Sequence, residues 1–230
     1  SAVEVTLLYA VLPALDLVTR CARIRNLGET PVTLTKAASL CLDISRGSWE
    51  WVHFHGRHAM ERQMERRLLF HDIQEIGSTR GTSSHHQNPT VLLCTPDCTE
   101  TAGACIGAAL VYSGSHQTRL ECDQLGQVRM VMGIHPDLFR WELKAGETSS
   151  PPEVMLSYSD TGLETLSHHF HQAIREHICR GKYQLAERPV LINNWEATYF
   201  GFDTEKILHI AEEAARLGVD MLVLDDGWFG

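Results

Sequence analysis

The spacing of apolar residues changes character once along the chain, near residue 160, and that change limits the folds open to it. Before it, short apolar runs alternate with turn residues. VEVTLLYAVLP and ALDLVTRCARIRN read as a strand pair, and LGETP follows as a turn. VTLTKAASLCLDI, ACIGAALVYSG, TRLECDQ, QVRMVMGI and FRWELKAGE continue in that style, with QLGQ at a hairpin position and AGE at a tight turn. Strands this frequent, punctuated by Gly, Pro, Asn and Asp, predict a β-sandwich over residues 1–160. After VMLSYS the apolar positions become Leu163, Leu166, Phe170, Ile174 and Ile178, the spacing of one helical face, and Gly181 marks its end. Residues 161–186 are therefore expected to form a linker helix.

A second domain is expected over residues 187–230. Val190-Leu191-Ile192 is a short apolar strand that ends in Asn193-Asn194-Trp195. Asp203 or Thr204 can cap a helix whose buried stripe would be Ile207, Ile210, Ala211, Ala214 and Leu217, closed by Gly218. Met221 to Leu224 suits a parallel strand buried on both faces. Strand, helix, strand is a βαβ unit, whose crossover is right-handed. Asp225 and Asp226 then stand at the C-terminal end of a parallel strand, where α/β barrels and open α/β sheets both place their active sites.

Two adjacent carboxylates repel, so hydrogen-bond donors, a cation or solvent must offset them. Three readings are open. Asp-Asp-Gly is a good turn sequence; the pair can hold a divalent metal; or it can clamp the hydroxyls of a sugar. Trp195 at the end of the preceding strand favours the clamp, because an indole face beside two acids suits a pyranose, with its apolar C–H face and rim of hydroxyls. The alternative for Trp195 is a core aromatic.

The formal charge of −9 argues against nucleic-acid or anionic-membrane partners, which need clustered Lys and Arg. No run of apolar residues is long enough to span a membrane. The N-terminal stretch lacks a basic region and carries Glu4 among its apolar residues, so no signal peptide is read, and the chain is expected to begin in mid-domain. Seven cysteines (21, 41, 94, 98, 105, 122, 179) are odd in number and include no CxxC pair, which predicts reduced thiols in the cytoplasm. Cys94, Cys98 and Cys105 read as small buried strand residues. Histidines cluster at His53, His55 and His58, at His85-His86, and at His168, His169 and His171, but no zinc-type spacing completes a metal set. HGRHAMERQMERR, residues 55–67, reads as a solvated turn or short helix, with a subunit-contact segment as the alternative.

RPVLINNWEATYFGFDTEKILHIAEEAARLGVDMLVLDDGWFG resembles the start of the catalytic barrel of the microbial α-galactosidases of glycoside hydrolase family 36. Upstream, IGSTRGTSSHHQNPTVLLC, GAALVYSGSHQTRLECDQ, GIHPDLFRWELKAGETSSPPEVMLSYSDTGL and SHHFHQAIREH are similar to the family's N-terminal β-domain and linker, in the same order. The resemblance covers essentially the whole chain and implies a β-supersandwich followed by a (β/α)8 TIM barrel. It implies hydrolysis, with retention, of terminal α-1,6-linked galactose from melibiose, raffinose and stachyose, by a cytoplasmic homo-oligomer, often a tetramer. It makes Trp195 the aromatic wall of the galactose pocket and gives Asp225 and Asp226 the hydroxyls on the C4/C6 side. One departure lies upstream, where Ser84-His85-His86-Gln87-Asn88-Pro89-Thr90 stands in place of the SHQHNPF expected for the family.

A retaining glycosidase needs a nucleophile and an acid/base whose carboxyls are about 5–5.5 Å apart, and adjacent Asp225 and Asp226 are not that pair. In the family the nucleophile lies in a Lys-Trp-Asp motif on a later strand and the acid/base further on. Neither these motifs nor the Cys-Ser-x-Gly-Gly-Gly motif of the pocket occurs in this sequence. No catalytic residue is therefore assigned, no cofactor or metal is expected, and the chain is expected to be a piece of a longer enzyme, cut at both ends. Two other functions remain: galactosyl transfer of the raffinose or stachyose synthase type, and a non-catalytic sugar-binding or assembly module built on the β-domain.

Overall fold

The computed structural model describes residues 2–83, 85–137 and 139–229. Ser84, the first residue of the departing loop, and Gly230, the last of the chain, lie outside them. The chain divides into two compact units, residues 1–174 and 175–230.

The first unit is mostly β-sheet. In chain order its strands are β1 (Val3–Leu12), β2 (Leu17–Asn26), β3 (Val32–Leu34), β4 (Ala38–Ile44), β5 (Glu50–Arg57), β6 (Met60–Leu68) and β7 (Asp72–Ser78). There follow β8 (Gln87–Cys94), β9 (Cys105–Leu110), β10 (His116–Cys122), β11 (Val128–Ile134), β12 (Trp141–Leu143), β13 (Thr148–Ser149) and β14 (Val154–Ser159). The larger sheet has the order β1-β2-β14-β9-β8-β5-β6, with β13 added on β2, and the smaller has the order β4-β11-β10-β7. VTLTKAASLCLDI, expected as one strand, is split, since β3 pairs with β12 and only β4 joins the smaller sheet.

The strand period of two decides which side chains enter which core. From the larger sheet Trp51, Val91, Leu93, Ala108 and Val154 meet Leu40, Leu120, Met130 and Met132 of the smaller one in a single buried cluster. Their chain neighbours Val52, Cys94, Ala109 and Met155, together with Cys105, point to the opposite face and pack against Leu166, Phe170 and Ala173. These three belong to helix α1 (Leu163–Ala173). VLLC and CIGAAL are continuously apolar because both faces of the central strands are covered, by a second sheet on one side and by α1 on the other.

Helix α1 thus packs within the first unit, whose boundary at residue 174 falls inside the linker helix expected over 161–186. Its N-cap, Gly162 (φ +96°), has no side chain, so the turn after β8 does the capping. Leu163 N–H donates to Thr99 O (3.0 Å) and Glu164 N–H to Glu100 O (2.9 Å), satisfying donors that a helix start leaves open. The expected apolar face holds for Leu166 (1% exposed) and Phe170 (7%) but fails for Ile174 (40%) and Ile178 (37%). The wider π-type turn over Ile174–Ile178 rotates those side chains away from the packed face.

HGRHAMERQMERR forms neither a lone turn nor a helix: it closes the β5–β6 hairpin and supplies most of the edge strand β6. Charged residues on an edge strand hinder unwanted sheet pairing. At the other edge β1 exposes Val5, Leu7, Tyr9 and Val11. Thr90, where the family pattern has an aromatic, is half-buried in β8 opposite Ala109.

All seven cysteines are free. Cys94 and Cys105 are cross-strand partners, and Cys98 is buried beside them on the connecting loop rather than on a strand. Burial pushes the Cys94 and Cys105 thiols up to about 12. The thiolate is the reactive form, so at pH 8 a disulfide reagent should titrate exposed Cys41 and Cys179 promptly and reach Cys94 and Cys105 only after denaturant is added. Prompt reaction of either buried thiol in the native protein would contradict this packing.

The second unit contains strand β15 (Leu191–Asn193), the short helix α2 (Trp195–Thr198), helix α3 (Thr204–Arg216) and strand β16 (Met221–Val223). Asp203 is the N-cap of α3, its carboxylate accepting from Lys206 N–H at 2.9 Å. Ala214 is buried and Ile207, Ile210 and Ala211 are half-buried, but Leu217 is 84% exposed. Leu217 lies one residue beyond the last helical position, where Gly218 (φ +80°) turns the chain, so it leaves the stripe. β15 and β16 pair in parallel, Leu191 opposite Met221 and Asn193 opposite Val223. Met221–Leu224 is not buried on both faces as expected. In this unit two strands have only α3 for cover, and Met221 and Leu224 stay exposed.

Candidate functional site

Parallel pairing in register brings the ends of β15 and β16 level, and the residues after each strand meet there. Asn193 and Asn194 knit them together. The Asn193 amide donates to Asp225 Oδ2 (2.6 Å), and its Oδ1 accepts from Trp195 N–H (2.7 Å). Asn194, fully buried, accepts from Asp225 N–H (2.8 Å) and donates to Thr198 Oγ1 (3.0 Å). Each asparagine spends one side-chain atom on Asp225 and the other on its own segment, so the backbone of Trp195 and the carboxylate of Asp225 are held from one short stretch. Composition alone offered no sign of this; the Asn-Asn pair before Trp195 is the signal, legible only once the partner strand is known.

The two acids differ. Asp225 is half-buried, and each of its oxygens is held, Oδ2 by Asn193 and Oδ1 by Asp226 N–H at 2.8 Å. That second bond is the turn chemistry anticipated for Asp-Asp-Gly, and Asp225 performs it. Asp226 is exposed, and its carboxylate finds no partner among the described residues. Gly227 (φ +96°) lets the chain turn away, and a side chain there would press on the rings of Phe202 (3.1 Å) and Phe200 (3.2 Å).

Trp195 is half-buried and stands edge-on to Tyr199 (5.3 Å) and Phe200 (4.9 Å), an arrangement that aromatic quadrupoles favour. It is not a core residue. Tyr199 sits at φ +46° and donates its hydroxyl to Glu196 (3.1 Å), and that carboxylate raises the phenol's pKa. The site therefore combines a half-buried indole, one immobilised carboxylate and one carboxylate open to solvent. This set can stack on an apolar ring face and accept hydrogen bonds from hydroxyls.

The histidines are distributed otherwise. His53 is buried in the first unit beside Glu65 (3.4 Å), its pKa lowered mainly by burial, while the rings of His168 and His171 are 6.4 Å apart on α1. No group of three or more His, Cys, Asp or Glu able to hold a metal ion occurs among the described residues.

The chain is similar to known proteins along its whole length. Residues 1–144 match the glycosyl hydrolase family 36 N-terminal domain, and residues 148–230 match the melibiase family. The bifunctional α-galactosidase/sucrose kinase AgaSK of Mediterraneibacter gnavus is 51% identical over 228 residues, which cover 99% of this chain and 24% of that protein. The α-galactosidase AgaA of Geobacillus stearothermophilus is 44% identical over 227 residues, 99% of this chain and 31% of that one. The AgaA crystal structure superposes with a TM-score of 0.96 over 99% of this chain and 32% of its own. Variants of AgaA have been crystallised in complex with stachyose and with raffinose. The chain thus spans 24% and 31% of the length of these two relatives. With both of its halves matched in order and its fold superposable throughout, the chain belongs to glycoside hydrolase family 36.

Proposed function

We propose that the chain is the N-terminal β-domain and the first βαβ unit of a (β/α)8 barrel in a retaining α-galactosidase acting on terminal α-1,6-linked galactose of melibiose-, raffinose- and stachyose-type sugars. The observation that carries this reading is the level pairing of β15 with β16, which ties Trp195 and Asp225 to the same short stretch, Asn193 and Asn194. In this reading Trp195 is the wall on which the C–H face of galactose rests. Asp225, held from both sides, offers its remaining lone pairs at a fixed position, and Asp226 accepts from a second hydroxyl. Clamping orients the sugar; the bond cleavage requires the nucleophile and acid/base, for which these 230 residues hold no candidate motif. A cytoplasmic homo-oligomer, a tetramer, is part of the same proposal, supported by the free thiols and by the apolar edge strand β1.

The test separates binding from chemistry. The 230-residue chain, incubated with 4-nitrophenyl α-galactoside, should release no more nitrophenol than a vector control. Release abolished by a substitution within the chain would place the catalytic carboxyls here and refute the division of labour proposed.

A further inference from the structure

A cavity of about 510 Å³ opens in the first unit between the β1–β2 turn, the end of β14 and the middle of α1. That size falls within the ~300–1,000 Å³ of small-ligand sites. Leu17 forms part of its apolar wall, and Tyr158, 53% exposed, offers an aromatic surface. The polar groups are Asp16, Asp160, Thr165 and His169.

One hydrogen-bond chain determines what these groups present. Ser157 donates its only hydroxyl hydrogen to Asp16 O (2.9 Å). The contact between Ser157 Oγ and His169 Nδ1, also 2.9 Å, must then take its hydrogen from the ring. His169 Nδ1–H then donates to Ser157 Oγ, and Nε2 lies 4.0 Å from Asp16 Oδ2. Asp16 itself is held at φ +44°, in the left-handed region, at the turn. Two carboxylates and an imidazole thus line one cavity, with no Lys, Arg, Asn or Gln among the lining residues.

We propose that this cavity is a carbohydrate-binding site that takes a neutral hexopyranoside. A ligand rich in hydroxyls donates to Asp16 and Asp160 and bonds His169, and its apolar ring face lies on Tyr158. A ligand bearing carboxylate or phosphate is repelled. The site is built wholly from residues of the first unit, so it does not depend on the role proposed for Trp195, Asp225 and Asp226.

The test is titration calorimetry of the 230-residue chain with methyl α-galactoside and methyl α-glucoside, repeated on Tyr158→Ala, Asp160→Asn and Trp195→Ala. Tyr158 and Asp160 are exposed, so these variants should keep the parent's thermal midpoint. Each should weaken hexoside binding by about tenfold or more, while Trp195→Ala leaves this site's affinity unchanged. Binding that survives in both Tyr158→Ala and Asp160→Asn, or no hexoside binding by the parent chain, would overturn the proposal. So would binding of methylamine in preference to either sugar, which would make the cavity a cation site. Loss of binding in Trp195→Ala alone would place the sugar in the second unit instead.

Discussion

Asp226→Asn in the enzyme that carries the complete barrel should lower kcat/KM by about ten- to a hundredfold with little change in thermal midpoint. A hydrogen bond to an ionised group contributes roughly 1.5–3 kcal/mol, and about 1.4 kcal/mol is tenfold in rate. The amide keeps the size of the carboxylate but loses its charge and half its acceptor capacity. Stability is spared because Asp226 is exposed and its carboxylate has no protein partner among the described residues. Two rival roles forecast otherwise. A metal site predicts activity abolished by chelation and restored by a divalent ion, and a purely structural turn predicts a lowered midpoint with near-normal kcat/KM. Asp225→Asn separates them less cleanly, because its new NH2 group could face the donating amide of Asn193 and disturb the segment that holds Trp195.

Phe170→Ala should destabilise the first unit by about 3–5 kcal/mol, the usual cost of emptying a buried aromatic site. Phe170 is 7% exposed and its ring fills the place a side chain at Gly107 would occupy, with Cζ only 2.9 Å from that position. The glycine in β9 is a socket, and the ring is what closes the second core beneath α1. At about 2–4 °C per kcal/mol for a unit of this size, the melting temperature should fall by roughly 6–20 °C. Ile174→Ala provides the control: the sequence pattern put Ile174 on the same face, the structure leaves it 40% exposed, and the loss should stay below about 1 kcal/mol. Equal losses for the two variants in urea titrations would refute the assigned packing of α1.

Several of these features were legible in the residues. β1, β2, β9, β10, β11 and β14 follow from apolar runs between turn residues, and the cap of α3 from Asp203. β5, β6 and β7 do not stand out in the sequence, because WVHFHGR, MERQMERRL and DIQEIGS carry too many His, Arg, Glu and Gln for the strand pattern to register. Their pairing comes from tertiary context: β5 is an inner strand with Trp51 and Val52 buried on opposite faces, and β6 is an edge that tolerates charge. Leu217 fits the apolar period but leaves the stripe, because periodicity does not mark where the helix stops. At the candidate site the types and positions of Trp195, Asp225 and Asp226 were evident from sequence, but their inequality was not. That depends on the register between β15 and β16, which hands both oxygens of Asp225 to the protein and leaves those of Asp226 to solvent.

The most direct test of the clamp is equilibrium binding of galactose to the complete enzyme and its Asp226→Asn variant, each with and without EDTA. The account predicts that EDTA changes neither affinity and that the variant binds galactose about tenfold or more weakly. Undiminished galactose binding by Asp226→Asn would contradict it.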